Sequence, residues 1–131
     1  MIIDSSAVLA ITLGEDGYER YVLAISRAAK ARISAANWLE SFLVVEGRGD
    51  AAASERLEAF IRRAGIEIAP VMPEHAVAAR TAWRRFGRGR HRAKLNYGDC
   101  FAYALAVVSG EPLLFKGGDF THTDVRPALE D

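Results

Sequence analysis

The stretch Met1-Ile2-Ile3-Asp4-Ser5-Ser6-Ala7-Val8-Leu9-Ala10-Ile11-Thr12-Leu13 carries the reading of the fold. An apolar run from Met1 to Ile3 reads as a strand. It breaks at Asp4-Ser5-Ser6 and passes into an apolar helical stretch that reaches Leu13. Asp4 thus stands at the carboxyl end of the first strand, and an acid inside a starting hydrophobic segment costs stability unless it is paired.

Working outward, strand and helix signals keep alternating. Gly14 and Gly17 bracket a turn, after which Tyr18, Tyr21, Val22 and Ile25 fall at the i, i+3, i+4 and i+7 positions of an amphipathic helix. Arg32-Ile33-Ser34 reads as a short strand entering a third helix, with Leu39, Phe42 and Leu43 as its buried face. Leu57, Phe60 and Ile61 mark a fourth helix, ended near Gly65. Residues 66–71 read as a strand, closed by Pro70 and Pro73. A fifth helix carries Ala76, Ala79 and Trp83 on one face and stops at Gly87. Asn96 caps a sixth, with Phe101, Leu105 and Val108 in register. Residues 112–115 form a buried strand, Lys116-Gly117-Gly118-Asp119 a tight loop, and a last short strand falls around Asp124 to Arg126. Short strands alternating with helices predict an α/β fold, a three-layer sandwich with a short, mostly parallel central sheet. No repeat or linker divides the chain, so residues 1–131 form a single domain.

At 131 residues, half of them apolar and 26% charged, the chain can bury a core without disulfide or metal staples. No segment approaches the roughly 20 apolar residues of a membrane span. The acid at Asp4 stands where a signal peptide carries Lys or Arg, and the lone Cys100 cannot form an internal disulfide, so a cytoplasmic protein is expected. Cys100 itself reads as a small buried hydrophobe.

In a parallel α/β sheet the site lies beyond the carboxyl ends of the strands. That rule brings Asp4 and Asp119, which follows the Leu113-Leu114-Phe115 strand, to one sheet edge. Glu40 lies in the third helix with Ala36, Leu43 and Val44 three or four residues away, and Asp99 lies in the first turn of the sixth. Each acid also has a plain structural reading: Asp99 as a capping partner of Asn96, Asp119 as a turn residue, Glu40 as a boundary charge. Carboxylates gathered at one edge repel and persist only around something positive. An oxygen-only set suits Mg²⁺ or Mn²⁺ rather than zinc, and His75, His91 and His122 lack ligand spacing. A carboxylate-held Mg²⁺ can activate water and orient a phosphate, which is phosphodiester hydrolysis.

Asp4-Ser5-Ser6, the mid-helix Glu40, the Asn96-Tyr97-Gly98-Asp99 block and Phe115-Lys116-Gly117-Gly118-Asp119-Phe120 together resemble the PIN-domain toxins of VapBC toxin–antitoxin pairs, over essentially the whole chain. The resemblance implies a five-stranded parallel sheet and a Mg²⁺-dependent endoribonuclease. It also implies a homodimer that a cognate antitoxin neutralises. On the matching positions it implies Asp4, Glu40, Asp99 and Asp119 as catalytic and metal-holding acids, with Ser6 supporting Asp4. Asp124 lies close enough to compete with Asp119 for the fourth place.

Net charge is zero, yet Arg80, Arg84, Arg85, Arg88, Arg90, Arg92 and Lys94 form a block without an acid. Arg80 and Arg84 share a helix face opposite Trp83 and read as solvated. Arg88, Arg90, Arg92 and Lys94 lead into the Asp99 helix and are the candidates for holding RNA phosphates, with His91 and Tyr97 as candidates for stacking on an unpaired base. A phosphatase-type site would need a second acid beside Asp4, where Ser5, Ser6 and Ala7 stand, and glycine-rich phosphate loops are absent. The alternative is a catalytically silent PIN-like module that binds RNA or a partner protein.

Overall fold

The structure, a computed structural model, describes residues 1–130. Four strands, β1 (Ile2–Ile3), β2 (Arg32–Ser34), β3 (Glu67–Ala69) and β4 (Leu113–Leu114), pair in parallel in the order β3-β2-β1-β4. Ile2 stands opposite both Arg32 and Leu113, so the first strand of the chain is central in the sheet. The six α-helices are α1 (Ser5–Thr12), α2 (Tyr18–Arg27), α3 (Ala35–Gly47), α4 (Ala51–Arg63), α5 (Pro73–Phe86) and α6 (Tyr97–Ser109).

Side chains alternate across a sheet, so consecutive apolar residues feed opposite faces. Ile2 and Leu113 join a core with Ala79, Ala82 and Phe86 of α5 and Tyr103 and Leu105 of α6. Ile3 and Leu114 join the other core, with Val8, Ile25, Val45 and Leu57 from the first four helices. Helices α5 and α6 on one face and α1 to α4 on the other make the three layers. Gly110, at φ 69°, takes the left-handed conformation that ends α6, which an L side chain resists.

Two features depart from the sequence reading. The expected last strand is reduced to a single parallel bridge, Leu113 to Pro127, so the described sheet has four strands rather than the five the resemblance implies. The cause is local: Asp119–His122 forms a short 3₁₀ turn, leaving Leu113 to donate to Arg126 O and accept from the Ala128 N–H. Second, Leu39 and Leu43 are not the buried face of α3. They are 50% and 59% exposed, and Asn37, Ser41, Phe42 and Val45 point inward instead. Most of the inward polar atoms are hydrogen-bonded: the Ser41 hydroxyl donates to Asn37 O at 2.8 Å and the Asn37 amide donates into the site, while Asn37 Oδ1 is buried with no partner among the described residues.

At the opposite end of the sheet, Glu111 accepts from the Met1 ammonium at 2.6 Å and from the Arg32 guanidinium. Against the partial burial that raises it, these donors bring the Glu111 carboxyl down to about 2. A carboxylate depressed on folding adds stability above its unfolded pKa, near 4.5, and loses it as pH falls toward 2. Glu111→Gln is therefore expected to cost about 1–3 kcal/mol at neutral pH, and the gap to the parent should close near pH 2. Urea melts of both proteins across that range check it; a gap that stays constant with pH would show that the ion pair contributes nothing.

Candidate active site

Asp4 leaves β1 still bonded to the sheet, its N–H donating to Leu114 O at 2.9 Å. It is also the N-cap of α1. Its Oδ2 accepts from the Ser6 N–H at 3.0 Å and from the Ser6 hydroxyl at 2.5 Å, a cap worth ~1 kcal/mol. The residue is 3% exposed, and its other oxygen, Oδ1, is buried with no hydrogen-bond partner among the described residues. Burial pushes the carboxyl up to about 7; the Ser6 hydrogen bonds oppose this, and the charges of Asp99 and Glu40 add to it. The Ser6 hydroxyl accepts in turn from the Lys116 N–H at 2.9 Å, so one side chain ties Asp4 to the loop that carries Asp119.

Glu40 is positioned by three elements. The Ser5 hydroxyl of α1 donates to its Oε1, as does the Asn37 amide one helical turn earlier at 3.3 Å. Asn37 is fully buried and also donates to Gly98 O at 2.9 Å, joining α3 to the first turn of α6. The carboxylate lies directly against Gly98: a Cβ there would sit 1.9 Å from Glu40 Oε2. Ser5, Asn37 and Gly98 are site residues that reading the sequence missed. The one local signal was a polar residue, Asn37, one turn before an acid on the same face.

Asp99 is the capping partner of Asn96. Its N–H donates to Asn96 Oδ1 at 2.9 Å and its Oδ2 accepts from the Asn96 N–H at 3.0 Å, a reciprocal cap of α6. Burial also pushes its carboxyl up to about 6; the Asn96 hydrogen bond opposes this, and the charges of Glu40 and Asp119 raise it further. Asp4, Glu40 and Asp99 thus lie within one another's reach, and Asp119 joins them through Asp99 alone. Asp124 is engaged elsewhere: it accepts from the Tyr103 hydroxyl at 2.5 Å and pairs with Arg85 at 3.2 Å. Its carboxyl falls below the ordinary range, first through the Tyr103 hydrogen bond. Burial and Asp124 together push Tyr103 up to about 12.

Among the described residues, no three His, Cys, Asp or Glu side chains stand close enough to hold a metal ion. Asp4, Glu40 and Asp99 are each held by protein donors, with which an ion would have to compete. The donor chemistry nevertheless fits a hard divalent cation: the oxygens are carboxylate, one of them is buried without a donor, and the group carries unrelieved negative charge. Cys100, beside Asp99, is buried, and its thiol is pushed up to about 11 by burial and by that charge, which removes it from nucleophilic chemistry at neutral pH.

Arg88, Arg90, Arg92 and Lys94 are exposed on a loop closed by a bridge between Gly87 and Leu95, immediately before the cap of α6. Of the candidate stacking residues, Tyr97 is 81% exposed, whereas His91 packs edge-on against Phe86 at 5.2 Å. Arg80 is not opposite Trp83, as the sequence reading had it. Three residues apart on α5, the two line one groove. A second groove, lined by Leu39, Glu40, Leu43 and Val44, lies on the other side of Tyr97 and Phe101. No helix among the described residues is long and apolar enough to cross a membrane.

Comparison with known proteins agrees over the whole domain. The sequence pattern of the PIN domain family matches residues 1–126. Ribonuclease VapC30 of Mycobacterium tuberculosis is 46% identical over 125 residues, covering 95% of each chain. Ribonuclease VapC of Mycolicibacterium smegmatis is 46% identical over 95% of this chain and 97% of its own. Ribonuclease VapC42 of Mycobacterium tuberculosis is 43% identical over 98% of each. In three dimensions the fold is similar to that of Mycobacterium tuberculosis VapC20, described as a sarcin-ricin loop cleaving toxin. The TM-score is 0.71 at 19% identity, with 96% of this chain and 98% of that one covered.

Proposed function

The chain belongs to the PIN-domain family, and from that premise we propose that it is a divalent-metal-dependent endoribonuclease of the VapC type, the toxin of a toxin–antitoxin pair. The observation that carries the metal-dependent part is the buried Asp4, with one oxygen lacking a donor, inside the fields of Glu40 and Asp99. Asp4, Glu40, Asp99 and Asp119 would hold Mg²⁺, or Mn²⁺ in its place, and the bound ion would supply an activated water and charge stabilisation at the scissile phosphate. Ser6 holds Asp4, while Ser5, Asn37 and Gly98 fix Glu40. The exposed cations of the 88–94 loop attract the RNA backbone to this edge. The apolar outer face of α3, with Leu39, Leu43 and Val44, supports a protein partner there, the cognate antitoxin or the second copy in a homodimer.

Incubating RNA with the protein in Mg²⁺ and in EDTA tests the metal-dependent reading: cleavage in Mg²⁺ and none in EDTA is expected, and equal cleavage would overturn it. Asp119→Asn should lose far more activity than Asp124→Asn, because Asp119 acts on Asp99 whereas Asp124 is bound to Tyr103 and Arg85. The reverse order of initial rates would place the fourth acid at Asp124. Alanine at Arg88, Arg90, Arg92 and Lys94 should weaken RNA binding and flatten its dependence on log salt by roughly one unit or less per lost phosphate contact. Turnover at saturating RNA should change less. An unchanged slope in the fourfold variant would assign the loop to a protein partner.

A further inference from the structure

Two grooves flank the ridge made by Tyr97 and Phe101, whose rings meet edge-on at 4.9 Å. They differ in charge. The groove on the α3 side carries the acid Glu40 among apolar residues and no cation. The groove on the α5 side encloses about 510 Å³ between Ala76, Ala79, Trp83, Tyr97 and Phe101, and Arg80 lines it. That volume lies within the ~300–1,000 Å³ of small-ligand sites.

The Trp83 wall of the α5 groove is braced by its neighbours. Trp83 is backed by Gly87, where a Cβ would sit 2.6 Å from its ring, and the Arg90 guanidinium lies 4.2 Å from the ring centroid. The surrounding segment, residues 75–98, contains no acid. Among the described residues neither Arg80 nor Arg90 has an acid partner. Tyr97 and Cys100, both on the groove, belong to the same first turn of α6 as Asp99, which projects from another face of that turn.

We propose that the α5–α6 groove is a nucleobase subsite, taking one unstacked base of single-stranded RNA between Trp83 and Tyr97, with Arg80 and Arg90 on the adjoining phosphates. The inference rests on the ribonuclease reading and gives that site its substrate class. Aromatic walls accept any base by its π face, flanking arginines neutralise the backbone, and a base must leave its stack to enter. The chain therefore selects unpaired RNA, and the base held here fixes which phosphate meets the acids.

The chain has two tryptophans, so in a Trp38→Phe background Trp83 is the sole reporter. A short unpaired oligoribonucleotide, titrated in EDTA, is expected to change Trp83 emission. One abasic position stepped along the oligonucleotide should weaken binding roughly tenfold at a single register. Ala76→Phe fills the groove from an exposed position and should weaken binding similarly without changing the salt slope, since no phosphate contact is lost. If the oligonucleotide binds with normal salt dependence but leaves Trp83 unmoved and Ala76→Phe binds like the parent, the base subsite is wrong and the ribonuclease reading stands. If Ala76→Phe instead dissociates a dimer in sedimentation, the groove is a protein interface and the proposal fails. Absence of any RNA binding or cleavage would overturn both readings.

Discussion

Replacing Asp4 by Asn, Glu40 by Gln or Asp99 by Asn is expected to lower RNA cleavage by at least ~10²-fold each, with the fold retained. Each change keeps the side-chain shape and alters the charge of a cluster in which burial, with Asp99 and Glu40, raises the Asp4 carboxyl and burial, with Glu40 and Asp119, raises that of Asp99. Stability need not fall. At an effective dielectric of ~20, like charges ~4 Å apart repel by several kcal/mol before screening, whereas the dipole interaction lost from Asp99 is about 0.3–1 kcal/mol. Thermal melts in EDTA should therefore place Asp99→Asn at or slightly above the parent. Mg²⁺ should reverse that order, since the parent alone keeps all the acids that would bind it. Initial rates on one RNA, with melts alongside, check both halves. Full activity in any one of these variants would remove that acid from the mechanism.

Gly98→Ala should also impair cleavage, although it replaces no acid and adds a single methyl group. Alanine is favoured over glycine in a helix by ~1 kcal/mol, which alone would stabilise α6. The new Cβ, however, would stand 1.9 Å from Glu40 Oε2 and 2.5 Å from its Cδ. The end of a flexible side chain yields more cheaply than backbone, so Glu40 moves and the fold holds. Cleavage is expected to fall at least ~10-fold, with the melting temperature within a few degrees of the parent. The cause is checked by a double-mutant cycle: Gly98→Ala should cost little more in a Glu40→Gln background, because the displaced group has already lost its charge. Fully additive losses would show that Gly98 acts through something other than Glu40.

What the sequence disclosed and what it hid divide along the range of the interactions. The strand at Ile2–Ile3, the Asn96 cap and the place of Asp4 at the end of β1 were legible because each is announced by immediate neighbours. Leu39 and Leu43 misled, since an apolar pair at helical spacing normally faces inward. What reversed the face was Asn37, whose amide finds Ser5, Glu40 and Gly98 O on three separate segments. Nothing near residue 37 in the sequence signals partners 32 and 61 positions away. The glycine at 98 read as part of a motif, but its reason is a carboxylate from another helix. Arg80 was set opposite Trp83 although residues three apart share a helix face, and the two line the groove that α6 completes.

The central place of β1 has a consequence for how such a chain is made. Ile2 and Ile3 leave the ribosome long before their β4 partners, Leu113 and Leu114, have been translated. The acids are spread in the same way, from Asp4 at the start to Asp119 after β4. Until synthesis passes that point the nascent polypeptide has neither the closed sheet nor the full acid set. On the proposed four-acid mechanism, the growing chain therefore cannot cut the messenger that encodes it.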